Sequence, residues 1–123
     1  MSTIDAEAEL KRLREAIDRV DEVLVKLLNQ RAKYAVQIGE IKGLLDLPIY
    51  SPEREKEVLH HVESRSEGPL ENAAIRRLFE RIIDESRRVE RESAAIPAAS
   101  SLPSSAASPP SDSTANQQPP TAN

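Results

Sequence analysis

The sequence predicts an all-α protein: a three-helix chain with one long N-terminal helix. Three observations carry this. Apolar residues recur at alternating spacings of three and four over the first 45 positions. No proline interrupts the chain before Pro48, and its only glycines up to that point, Gly39 and Gly43, come late. Two later segments, "DLPIYSPERE" and "SEGP", combine helix-stopping and helix-starting residues, so they divide the remaining ordered chain into two shorter helices.

The first helix is expected from about Ala8 to Leu45. Its apolar stripe is Leu10, Leu13, Ile17, Val20, Leu24, Leu27, Tyr34, Ile38, Ile41 and Leu45, and the stripe is broken at position 31 by an arginine. Such a helix would be roughly 55 Å long at 1.5 Å per residue. Two shorter helices cannot cover a seam of that length, and a second copy of the same chain is the simplest cover. The second helix starts after Pro48, with Ser51 suited to the N-cap, Pro52 to the first helical position, and Glu53 and Glu55 to the first turn. It is expected to run to about Ser64 with Val58, Leu59 and Val62 facing inward. The third is expected from about Leu70 to Ala94, with Ala74, Leu78, Phe79, Ile82, Ile83, Ser86, Val89 and Glu90 on its inward side. Two polar residues one turn apart, Ser86 and Glu90, thus continue an apolar stripe.

Beyond residue 96 the composition changes. Residues 97–123 hold six of the nine prolines, one charge and no aromatic residue. Such a segment buries too little apolar surface to offset the entropy of ordering it, so a disordered tail is expected there, after a helical domain over residues 1–96. A domain of this size has a small core for a monomer. The chain has no cysteine, which removes disulfides and thiolate metal sites and accords with a reducing compartment. Neither a signal peptide nor a membrane span is legible, and a cytoplasmic location is the expectation. A net charge of −4, from 17 basic and 21 acidic residues, argues against general nucleic-acid binding. Anion binding here must be local.

The residues that could supply it stand out because they occupy inward positions. Arg31 and Lys42 are eleven residues apart, which places them within about 20° of one helix face with about 16 Å of rise between them. Two long cationic side chains can lean together from such positions and grip a small anion. Arg14 points about 100° away from Arg31 on a straight helix, so it serves the same ligand more easily from an antiparallel second copy. For any one of these residues the ordinary reading is a stem laid over the core with its head in water or on a carboxylate, Asp18, Asp21 and Glu22 being candidates. The set is more telling: Arg14, Arg31, Lys42 and Arg54, with Ser86 and Glu90 on a third helix. Same-sign charges on inward faces cost several kcal/mol when uncompensated, which points to an anionic ligand.

At these residues the chain resembles the all-α chorismate mutase family. Its first helix, "ELKRLREAIDRVDEVLVKLLNQRAKYAVQIGEIK", is similar to the family's in the pattern L-R-x-x-I-D-x-x-D-x-x-L-x-x-L-L-x-x-R followed by A-x-x-I-G-x-x-K. "PIYSPEREKEVL" and "IRRLFERIIDESRRVE" are similar to the second-helix start and the third helix. The resemblance covers the expected folded part and none of the tail.

It implies an intertwined homodimer whose two active sites are each built from both chains. It also implies an isomerase that rearranges chorismate to prephenate with no metal or organic cofactor. Chorismate is a dianion, so cations are needed for two carboxylates. The ether oxygen gains negative charge as its C–O bond breaks, so a donor placed there favours the transition state over the ground state. By the resemblance, Arg31 and Arg14 of the second copy bind carboxylates. Lys42 contacts the ether oxygen and a carboxylate, Arg54 supports the electrostatics, Glu55 accepts from the ring hydroxyl, and Ser86 lies near a carboxylate. Glu90 stands where family members carry Gln or Glu, and a glutamate can donate to the ether oxygen only when protonated. Desolvation and the dianion favour that form, while Lys42 and the arginines oppose it. Ser51 replaces an acidic residue of a relative, and its hydroxyl can still touch the substrate.

Other functions share these features. An isochorismate pyruvate-lyase has the same fold and a similar cationic pocket. A regulatory module, or a domain working beside another enzyme of the pathway, would look alike in sequence. A plain helical dimerisation protein would lose stability, but no ligand binding, on Arg31→Ala.

Overall fold

The structure, a computed structural model, describes residues 2–95, and the expected tail and its boundary at 96 lie outside the described residues. It contains α1 (Thr3–Leu45), α2 (Pro52–Arg65) and α3 (Asn72–Ala95), with no strand among the described residues. The expected three-helix order therefore holds, with shifts of a few residues at the ends. α1 begins five residues earlier than expected because Ser2 caps it: its hydroxyl accepts from the Asp5 amide at 3.0 Å. Internal contacts divide the chain into two units, residues 1–31 and residues from Ala32 onward.

The first unit is the N-terminal stretch of α1. Leu10, Leu13, Ile17, Val20, Leu24 and Leu27, the seam expected to be covered, are each about half exposed in the single chain. No helix of the described residues is long and apolar enough to cross a membrane.

The second unit holds the rest of α1 with α2 and α3. Its core is Val58 and Leu59 of α2 against Ile83 of α3, with Phe79 packed on them. Arg76 of α3 adds an ion pair to Glu63 of α2 at 2.8 Å. One expected inward residue of α3, Leu78, is 54% exposed instead, because Phe79 beside it takes the place against α2.

The face of α1 that packs on α3 also differs from the expected seam. Tyr34, Ile41 and Leu45 are exposed, and the buried residues are Ala35 and Gly39. Small side chains let the two backbones approach closely. A Cβ built on Gly39 would lie 2.5 Å from the Glu90 carbonyl oxygen and 2.8 Å from Glu90 Cα. Only glycine fits there without moving α3. Periodicity alone favoured the larger residues on a neighbouring face.

Candidate active site

Lys42 sits in the last turn of α1, and the way that helix ends fixes it. Asp46 adopts a left-handed conformation (φ 57°), its amide donates to the Gly43 carbonyl at 3.4 Å, and the Leu47 amide donates to the Lys42 carbonyl at 2.9 Å. This pair of bonds is the Schellman closure, and aspartate is among the few non-glycine residues that tolerate the conformation. Pro48 then prevents any continuation of the helix. The chain turns so that Ile49 is buried, and its carbonyl accepts from Lys42 Nζ at 2.9 Å.

The second partner of Lys42 comes from α3. Its Nζ donates to Glu90 Oε1 at 2.9 Å, across 48 residues of sequence. The Glu90 side chain is 0% exposed and that of Lys42 15%. Lys42 thus meets a carboxylate of the chain itself, as the ordinary reading of a single inward cation has it, although the partner is Glu90 of α3 and none of the acidic residues of α1 considered for it. Both ends of the pair were singled out in the sequence, and the resemblance put both at the ether oxygen, while periodicity alone did not pair them. One turn before Glu90, Ser86 is also buried on α3. The Ser93 hydroxyl donates to the Val89 carbonyl at 2.9 Å, one of the ways a buried hydroxyl is satisfied within a helix.

Ser51 is the N-cap of α2 as expected, with extended backbone (φ −136°, ψ 91°) and its Oγ accepting from the Arg54 amide at 3.4 Å. Pro52 takes the first helical position. The Arg54 side chain is 54% exposed and pairs with Glu57 at 3.3 Å. Glu55, in the first turn, is largely buried and pairs with Arg87 of α3 at 2.8 Å. Arg14 and Arg31 belong to the first unit, Arg14 exposed and Arg31 half-buried. His60 and His61 of α2 are both exposed.

The structure thus brings Lys42 together with Glu90, and Ser51 with Arg54. Sequence reading missed two contributors. Arg87 lies one position from Ser86, off the inward stripe, and nothing in the periodicity distinguishes it from the other arginines of α3. The Ile49 carbonyl is a backbone group in an irregular segment, and no residue pattern announces it.

Chemically, the buried ammonium offers donors to an anion or an ether oxygen, and the carboxyl beside it is a second donor whenever it carries a proton. Among the described residues no group of three or more His, Cys, Asp or Glu side chains could hold a metal ion.

The sequence pattern of the family described as chorismate mutase type II matches residues 13–91, which include Arg14, Lys42, Glu55, Ser86 and Glu90. The chain belongs to the chorismate mutase type II family. Solved structures agree: the chain is 35% identical to a chorismate mutase (form I) from Thermus thermophilus, with a TM-score of 0.62 over 63% of this chain and 98% of that one. It is 29% identical over 86 residues to a chorismate mutase from Methanocaldococcus jannaschii, 68% of this chain and 86% of that protein. Against a bifunctional chorismate mutase/prephenate dehydratase from Neisseria gonorrhoeae the identity is 42% over 78 residues, 63% of this chain. The chain spans 21% of the length of that relative, and 15% of a similarly described one from Aquifex aeolicus.

Proposed function

We propose that the chain is a chorismate mutase, converting chorismate to prephenate on the route to phenylalanine and tyrosine. The observation that carries this reading is the Lys42–Glu90 pair: a cation and a fully buried carboxyl, 2.9 Å apart, in a chain of this family. Lys42 would donate to the ether oxygen and a substrate carboxylate, and protonated Glu90 would donate to the same ether oxygen. Charge appears there only as the bond breaks, so these contacts strengthen in the transition state. Ser51, Arg54, Glu55 and Ser86 would line the substrate. Arg31, and Arg14 from a second copy, are assigned to the carboxylates by the resemblance. Holding the enolpyruvyl arm over the ring supplies the rest of the rate.

The working unit in this reading is a homodimer with active sites shared between chains. The half-exposed stripe from Leu10 to Leu27 supports it, since an apolar face of that extent calls for a partner. Val20→Glu together with Leu24→Glu should convert a dimer to a monomer in sedimentation velocity and abolish turnover. A monomeric parent protein would remove this part of the reading. The bifunctional relatives make association with a downstream enzyme of the same pathway a natural arrangement, and a cytoplasmic location goes with it.

The experiment is the loss of chorismate absorbance with purified protein, the product identified by chromatography. Prephenate is the expected product. Turnover of isochorismate to salicylate and pyruvate, with none of chorismate, would replace the mutase by the lyase.

A further inference from the structure

Arg87 is not among the residues that the resemblance assigns to the site. It lies on α3 next to the buried Ser86, and three elements of the second unit meet at its guanidinium. Its Nε contacts Glu55 Oε2 of the first turn of α2 at 2.8 Å. One terminal nitrogen donates to Asp84 Oδ1, one turn back on α3. The guanidinium carbon stands 5.8 Å from the centre of the Tyr50 ring, in the segment between α1 and α2. The side chains of Arg87 and Glu55 are 26% and 17% exposed, so their attraction is screened less than that of a surface pair.

The pair matters because of a conflict in the site. Glu55 is the acceptor proposed for the substrate's ring hydroxyl, yet the substrate is a dianion. A carboxylate placed beside two others is repelled unless a cation offsets its charge. Arg87 supplies that charge from the protein side. The contact is an ion pair without hydrogen-bond alignment between Nε and Oε2, so Arg87 acts on Glu55 through its charge and its closeness. The bond to Asp84 and the place of the guanidinium over Tyr50 fix where that charge stands.

We propose that Arg87 is a positioning residue, offsetting the charge of Glu55 and keeping it in place so that it can accept the substrate's hydroxyl. The proposal rests on the mutase reading above. A hydroxyl contact of this kind is made equally in ground and transition states, so its loss raises KM and leaves kcat nearly unchanged.

The test is Arg87→Met, which keeps an unbranched stem and removes the charge, with thermal unfolding followed by circular dichroism. KM for chorismate should rise roughly fivefold, the equivalent of about 1 kcal/mol for a partly screened ion pair. The kcat should stay within about twofold. In a Glu55→Gln background the same substitution should leave KM where Glu55→Gln alone puts it, because the group that Arg87 acts through has already lost its charge. If Arg87→Met does not fold, Arg87→Gln is read by the same criteria. An unchanged KM, or an equal rise in both backgrounds, overturns the role of Arg87 while the parent enzyme still turns over chorismate. A parent protein without that turnover overturns the mutase reading, and this role with it.

Discussion

Gly39→Ala is the most informative single substitution, because one methyl group tests the fold and the site together. A Cβ at position 39 would stand 2.5 Å from the Glu90 carbonyl oxygen, 2.8 Å from Glu90 Cα and 2.9 Å from Ser93 Cβ. Non-bonded carbon atoms prefer about 3.5–4.0 Å, so α3 must retreat by about 1 Å. Two of the three atoms met are backbone, so no rotamer change relieves the contact. Overpacking of this kind costs about 1–3 kcal/mol, and replacing a helical glycine with alanine returns about 1 kcal/mol. The net loss is about 0–2 kcal/mol, or a fall of up to about 15 °C in the unfolding midpoint of a domain of this size. The effect on catalysis should be larger. Glu90 moves with the helix, and in the proposed mechanism it donates to the ether oxygen, where a displacement of about 1 Å costs about 100-fold. The assay is kcat/KM for chorismate beside a thermal melt. Gly43→Ala is the control: its Cβ would meet the Ala94 carbonyl oxygen at 3.0 Å, one turn beyond Glu90, and should cost far less activity. A Gly39→Ala enzyme within twofold of the parent in kcat/KM and in stability would refute the close approach and the placement of Glu90 that depends on it.

Three further outcomes are expected. Activity should fall as pH rises through the ionisation of Glu90 in the substrate complex, since the deprotonated carboxyl has no hydrogen to donate. Glu90→Gln should flatten that limb of the kcat profile, and an unchanged limb in the variant would assign it to another group. Lys42→Ala leaves the fully buried Glu90 without its ammonium and should cost about 3–5 kcal/mol at neutral pH. In that variant Glu90 takes up a proton on folding, so the folded state binds more protons than the unfolded. Stability should therefore fall as pH rises, and denaturant midpoints in acid should approach those of the parent. Ser51→Ala removes the N-cap of α2, whose bond to the Arg54 amide is long at 3.4 Å, and should cost only about 0.5 kcal/mol by denaturant titration.

The helices were legible because their signals are local. Ser51–Pro52 marks the start of α2 in the sequence as it does in the structure, and the unbroken run before Pro48 announces α1. Lys42, Ser86 and Glu90 were legible as polar residues on apolar stripes. What stayed hidden depends on groups far apart in sequence. Apolar periodicity weights large residues, so it favoured Tyr34 and Ile41 over Ala35 and Gly39, although small size is what admits α3. The Lys42–Glu90 contact needs the α1–α3 approach to be known first. Arg87 needs Tyr50 and Glu55 placed around it, and neither position is fixed by the pattern on α3.

The carbonyl of Ile49 has a consequence for ligand binding. Lys42 is shared between that neutral acceptor and the carboxyl of Glu90, each at 2.9 Å. If Glu90 takes up a proton, the ammonium keeps a hydrogen-bond partner that does not cancel its charge. The local charge then steps up by one while the Lys42 side chain remains tethered. A single proton can in this way turn a self-neutralised pair into an anion receptor. Entry of a dianion should therefore draw protons from solution, and the heat of binding should change with the ionisation enthalpy of the buffer.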